Sequence, residues 1–107
     1  MSFFELRQYP VKPGKQAEFV KMMEEEIIPF QVKVGMTILG SFVGETDDSV
    51  YVWIRRFHDE AERERLYEAV YQSDYWKNEI GPRVPDLIDG KGISVQRMEA
   101  TGRSVIQ

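Results

Sequence analysis

Four short stretches alternate apolar and polar residues, and two longer ones repeat apolar residues every three or four positions. Along the chain they read strand, helix, strand, and then the same again. In 107 residues, room for one core, that order predicts an α+β fold of the ferredoxin-like βαββαβ type. Its four-stranded antiparallel sheet carries both helices on one face, and the whole chain, 1–107, forms a single domain.

The first strand is Phe3 to Tyr9, which alternates Phe4, Leu6 and Gln8 against Phe3, Glu5, Arg7 and Tyr9. Pro10 and the Pro13-Gly14 turn end it. From Lys15, the residues Phe19, Val20, Met23, Ile27 and Phe30 recur at helical spacing, with charged residues on the other side. Pro29 predicts a kink or restart in this long amphipathic helix, and Gly35 its end. Glu24-Glu25-Glu26 reads as a solvated face. Met36 to Gly44 is a second strand, whose glycines suggest a bulge or close backbone approach. Glu45 to Ser49 is a turn that joins it in a hairpin to the third strand, Val50 to His58. Asp59 and Glu62 have the spacing of a capping box, and they start a second helix through Leu66, Tyr67, Val70 and Tyr71. Ser73 and Asp74 cap a further turn with Tyr75, Trp76 and Ile80, which Gly81-Pro82 stops. An irregular connector follows, with a short helix expected at Val84 to Ile88, and Ile93 to Met98 is the fourth strand. The tail from Ala100 to Gln107 is read as frayed or docked on a neighbour.

Composition narrows the chemistry. There is no cysteine, so disulfides, thiolate nucleophiles, Cys-ligated zinc and iron–sulfur clusters are out. A net charge of -4 and a pI near 5.0 lack the cationic footprint that phosphate backbones require, so no nucleic-acid partner is expected. The amino terminus enters a strand pattern without a signal peptide's basic and apolar regions, and no apolar run approaches the roughly 20 residues that span a bilayer. A cytoplasmic protein without membrane insertion is expected.

The predicted topology makes the first and third strands central neighbours, read here as a parallel pair. The helix-covered face then collects Phe4, Leu6, Ile38, Val52, Ile54, Ile93 and Val95. The opposite face collects Glu5, Arg7, Tyr9, Leu39, Val43, Tyr51, Trp53, Arg55, Phe57, Gln96 and Met98. That second face is too aromatic to leave in water, and a homodimer stacking two sheets face to face would cover it, giving a dimeric α+β barrel.

The residues resemble the NIPSNAP family. The resemblance is carried by Phe4-Glu5-Leu6-Arg7-Gln8-Tyr9 with Pro13-Gly14, by Ile28-Pro29, and by Gly35-Met36 through Gly40-Ser41-Phe42. It continues in Tyr51-Val52-Trp53-Ile54-Arg55-Arg56-Phe57 and in Tyr71 to Trp76, and so covers nearly the whole chain. It implies a dimeric α+β barrel domain and no particular reaction. Animal members are linked to vesicle transport and mitochondrial quality control, but they carry mitochondrial leaders and more than one such domain. A mitochondrial role is therefore not carried over to this chain.

The polar-aromatic face holds the chemistry. Two arginines and a glutamate removed from water need pairing, so an ion pair of Glu5 with Arg7 or Arg55 is one reading. In the other, a guanidinium stays free for an anionic oxygen while Trp53 and Tyr51 stack on an apolar body. Arg7, Tyr9, Tyr51, Trp53, Arg55 and Trp76 are the expected ligand-binding residues, with Trp76 at the mouth of any cavity beneath the helices. Otherwise the stripe of Tyr67, Tyr71, Tyr75 and Trp76 is packing. An enzyme would use Tyr51 or Tyr9 with Arg55 to steady an enolate-like anion, and Glu5 or His58 to move the proton. Glu5 held between two arginines would remove that role. One histidine and no clustered carboxylates leave no metal set, and no cofactor is expected. Ser41 lacks a nucleophile elbow, and Pro13-Gly14-Lys15 is too short to wrap a phosphate. The leading expectation is a homodimer binding a small anionic or aromatic molecule. The alternatives are a cofactor-independent monooxygenase, isomerase or dehydratase, and a non-catalytic scaffold whose polar-aromatic face is consumed by dimerisation.

Overall fold

A computed structural model of the chain describes residues 2–107. The alternating stretches become β1 (Phe3–Pro10), β2 (Thr37–Val43), β3 (Val50–Phe57) and β4 (Ser94–Met98). They pair in the order β2-β3-β1-β4, and every pair is antiparallel. The central pair is thus antiparallel rather than parallel, with Phe3 opposite Phe57 and Tyr9 opposite Tyr51. The expected bulge lies at Leu39, where the register with β3 shifts between Ile38 and Gly40. In the hairpin turn, the Asp47 carboxylate accepts from the Ser49 amide at 2.9 Å.

The first helical stretch is α1 (Gln16–Met22), a π-helical turn (Met23–Ile27) and α2 (Ile28–Val34). Pro29 has no amide to donate four residues back, and the widened turn directly before it absorbs the mismatch. Gly35, at φ 114°, closes α2 while the Met36 amide reaches back to the Gln31 carbonyl at 2.9 Å. Helix α3 (Glu60–Tyr71) starts on Asp59, whose carboxylate accepts from the Glu62 amide at 2.8 Å. The Glu62 carboxylate in turn accepts from the His58 amide, one residue earlier than the usual box. Ser73 Oγ caps the next turn by accepting from the Trp76 amide, and that turn is π-helical (Trp76–Ile80). The expected helix at Val84 to Ile88 falls earlier, as a 3-10 segment at Gly81–Asp86. Among the described residues no helix is long and apolar enough to cross a membrane.

The helices lie on the face opposite to the one expected for β1 and β3. Phe3, Glu5, Tyr9, Tyr51, Trp53, Arg55 and Phe57 are buried beneath them. Leu6, Val52 and Ile54 lie on the uncovered face, with Phe42 beside Val52 and 55% exposed. Ile38 of β2 and Ile93, just before β4, keep the expected side and pack against the helix-side core, whereas Val43, past the bulge, pairs with Tyr51 and shares its face instead of the open one. Gln96 and Met98 join Leu6 and Phe4 on the open face. The reason is hydrogen bonding: the charged and phenolic groups of β1 and β3 need partners, and α2 and α3 present Gln31, Tyr67 and Tyr71 to them. The aliphatic set makes no such demand.

The tail is docked, but on its own chain. Arg56 donates to the Gln107 carbonyl at 2.9 Å, and Ala100, Thr101, Ser104 and Ile106 border a hollow with Phe4, Ile54 and Met98. Phe4 is thereby reduced to 5% exposure.

A ligand-sized cavity beside a buried ion network

Two apolar clusters sit between sheet and helices. One gathers Tyr9, Phe19, Met23, Ile27, Tyr51, Trp53, Ile80 and Ile88, and the other Phe3, Met36, Phe57, Leu66 and Val70. Glu5, Gln31 and Arg55 are also fully buried here. Arg55 spends Nη2 on Glu5 Oε1 (3.0 Å) and Tyr67 Oη (2.6 Å), and Nη1 on Gln31 Oε1 and Tyr71 Oη, both at 3.0 Å. Its plane lies over the Trp53 ring at 4.7 Å. The arrangement satisfies a buried guanidinium at every nitrogen except Nε.

Glu5 is locked. It accepts from Tyr67 Oη (2.6 Å), Arg63 Nε (2.7 Å) and Arg55 Nη2 (3.0 Å), and Arg7 stands 4.0 Å away. Burial by itself raises the carboxyl, but the bonds from Tyr67 and Arg63 and the Arg55 and Arg63 charges outweigh it and hold it below the usual range. A carboxylate so committed is a poor proton carrier, and the role considered for Glu5 falls. Burial pushes the Tyr67 phenol up to about 12, against the Arg55 charge.

Next to this network, between sheet and helices, is a cavity of about 300 Å³. Phe19 and Met23 reach it from the first helical stretch, Tyr67 and Tyr71 from α3, and Trp76 and Val84 from the two segments that follow. Arg7, Tyr9 and Trp53 form its sheet side. Three of its wall segments depart from α-helical geometry, and such departures recur at functional sites. Arg7 is 18% exposed in its side chain and donates from Nε to Tyr9 Oη and from Nη1 to Tyr67 Oη, each at 3.0 Å.

Of the six residues expected to bind a ligand, Arg7, Tyr9, Trp53 and Trp76 line this space. Tyr51 and Arg55 do not. Tyr51 is 1% exposed, stacks with Tyr9 and shares a hydrogen bond with Ser41, and Arg55 is the centre of the network behind the wall. Burial pushes the Tyr51 phenol up to about 12. His58 is exposed at the end of β3 and lies away from the cavity lining. The sequence reading missed Arg63 and Gln31 and left Tyr67 and Tyr71 as packing. Their signal was the spacing of Arg63, Tyr67 and Tyr71 four apart on α3, a polar-aromatic stripe beside the apolar Leu66 and Val70. No group of three or more His, Asp or Glu side chains comes together among the described residues, and the polar groups of the cavity are donors suited to an anion.

Fold and site together define an α+β domain of ferredoxin-like type whose sheet and helices enclose a mainly apolar chamber with one cationic end. The NIPSNAP family profile matches residues 4–93, and the chain belongs to that family. Among curated proteins none matches it. A NIPSNAP family protein from Agrobacterium tumefaciens is similar in structure, with a TM-score of 0.89 at 21% identity over 100% of both chains. A second protein from that bacterium, a NIPSNAP family protein with unknown function, has a TM-score of 0.87 at 24% identity, covering 99% of this chain and 94% of its own. A proposed antibiotic biosynthesis monooxygenase from Caulobacter crescentus is similar at a TM-score of 0.71 and 17% identity, over 94% of this chain and 90% of its own. These likenesses speak for the fold.

Proposed function

We propose that this protein is a cytoplasmic homodimer that binds a small anionic or aromatic molecule in the cavity between its sheet and helices. The observation that carries the reading is the cavity itself: about 300 Å³, walled by Phe19, Met23, Trp76 and Val84, with Arg7 at one end. Pockets of this kind take an apolar body and fix it by a few polar groups. The dimer rests on the open sheet face, where Leu6, Val52 and Ile54 are only half-buried and Phe42 is 55% exposed. The scaffold alternative loses its premise, because the polar-aromatic face it would consume lies under the helices.

A cofactor-independent enzyme of the monooxygenase, isomerase or dehydratase type is the second reading. It is favoured by Arg7 and the Tyr71 hydroxyl bordering one space, where they would steady an enolate-like anion.

A thermal-shift titration of the purified protein against aromatic acids, acyl carboxylates and phenols tests the binding. A ligand should raise the melting temperature with dose, by about 2.7 kcal/mol of added stability at a hundredfold excess over Kd. Met23→Trp, which fills the cavity, should abolish the shift. No response, or an equal response in the filled variant, would refute the reading. Light scattering should return a dimer, which Val52→Asp, beside Phe42 on the open face, should split into monomers. An unaffected dimer would move the interface elsewhere.

A further inference from the structure

The polar end of the cavity presents donors and has spent its acceptors. Tyr71 Oη accepts from Arg55 Nη1 at 3.0 Å and from Gln31 Nε2 at 3.4 Å. Both of its lone pairs are engaged, so its own proton turns away from them, and no described residue receives it. Tyr9 Oη accepts from Arg7 Nε, and its proton likewise has no acceptor among the described residues. Tyr67 Oη donates to Glu5 Oε1 and accepts from Arg7 and Arg55. Arg7, which lines the cavity, has used Nε and Nη1, and Nη2 has no hydrogen-bond partner among the described residues.

Charge points the same way. Arg7, Arg55 and Arg63 converge on the single carboxylate of Glu5, and the nearby Glu60 is shared between Arg63 and Arg97. Cationic groups therefore outnumber carboxylates beside a mainly apolar cavity that Arg7 lines, in a chain whose net charge is -4. The two fully buried charges, Glu5 and Arg55, balance each other, so the partly exposed Arg7 is the guanidinium left to meet an added anion at the cavity.

Resting on the cavity-binding reading, we infer that the ligand's head is a carboxylate. One oxygen is held by Arg7 Nη2 and the other by the Tyr71 hydroxyl, which lie on one bonded chain, Arg7 to Tyr67 to Arg55 to Tyr71. The apolar body lies along Met23, Trp76 and Val84. A primary amide would turn its own NH₂ toward donors, and an ammonium would meet donors and cations only. A phosphate dianion would bring a second charge to a place where both Nη atoms of Arg55 are already committed.

The test is a panel of phenyl, phenylpropyl, naphthyl and octyl bodies, each carried as a carboxylate, a primary amide, an ammonium and a phosphate monoester. Calorimetry on the 107-residue chain should rank the carboxylate about tenfold or more above the amide of the same body. Arg7→Gln, which can still donate to Tyr9 or Tyr67, should remove that preference by weakening the carboxylate far more than the amide. Tyr71→Phe should reduce it by a smaller factor. Bodies that bind whatever their head, a phosphate or ammonium that binds best, or a preference that survives both variants would overturn the inference while the cavity reading stands. Failure of every member would overturn both.

Discussion

Replacing Glu5 by glutamine keeps the volume of the side chain and removes the one negative charge on which three guanidiniums converge. Breaking a buried pair from one side costs about 3–5 kcal/mol. Arg63 and Arg7 keep some water, at 25% and 18% exposure, whereas Arg55 keeps none, so the loss should fall near the low end, about 3 kcal/mol. For a domain of this size that is a drop of roughly 10–20 °C in Tm. The pH dependence identifies the cause. Glu5 is held below its ordinary pKa in the fold, so its contribution is fully present above the unfolded value, about 4.3, and is lost as pH falls through the folded one. Urea unfolding of both proteins across the acid range should show a gap that is wide at neutral pH and narrows as the pH falls below the unfolded carboxyl's value. A loss below about 1 kcal/mol, or a gap that does not change with pH, would refute the network as described.

Two further outcomes are expected. Burial pushes the Tyr51 and Tyr67 phenols to about 12, so the stability tied to them is whole below the unfolded value, about 10, and is lost as pH rises toward 12. Phenolate absorbance should show a late phase whose amplitude falls in Tyr67→Phe, and a single early phase would contradict the burial. Gly35→Ala places a side chain at φ 114°, 3.4 Å from a Leu66 methyl, and should cost about 1 kcal/mol or more by thermal unfolding. An unchanged Tm would deny the left-handed cap.

The order of elements was readable because each boundary carries its own chemistry. Asp59 and Ser73 cap with their side chains, Gly35 supplies the left-handed turn, and Asp47 ties the hairpin. The covered face of β1 and β3 was not readable from their alternation, which separates two sets of residues without saying which set meets the helices. Both sets are apolar enough to need cover. The deciding information lies on α3, where Arg63, Tyr67 and Tyr71 bring polar atoms that only Glu5, Arg7 and Arg55 can match. Strand and helix had to be read against each other. Gln31 gives no local sign at all: it sits between Phe30 and Val32 in α2 and becomes fully buried because Arg55 needs an acceptor there.

The placing of Trp53 and Trp76 has an optical consequence. They are the only tryptophans in the chain, and both border the same chamber. Trp53 lies under the Arg55 guanidinium at 4.7 Å, and Trp76 stands edge-on to Tyr71 at 4.8 Å. All indole emission from this protein therefore originates at the walls of one compartment, with no distant ring to dilute it. Keeping one tryptophan at a time separates a reporter on the sheet side from a reporter on the helical side. Whatever enters the compartment is then reported twice, once from the sheet side by Trp53 and once from the helical side by Trp76.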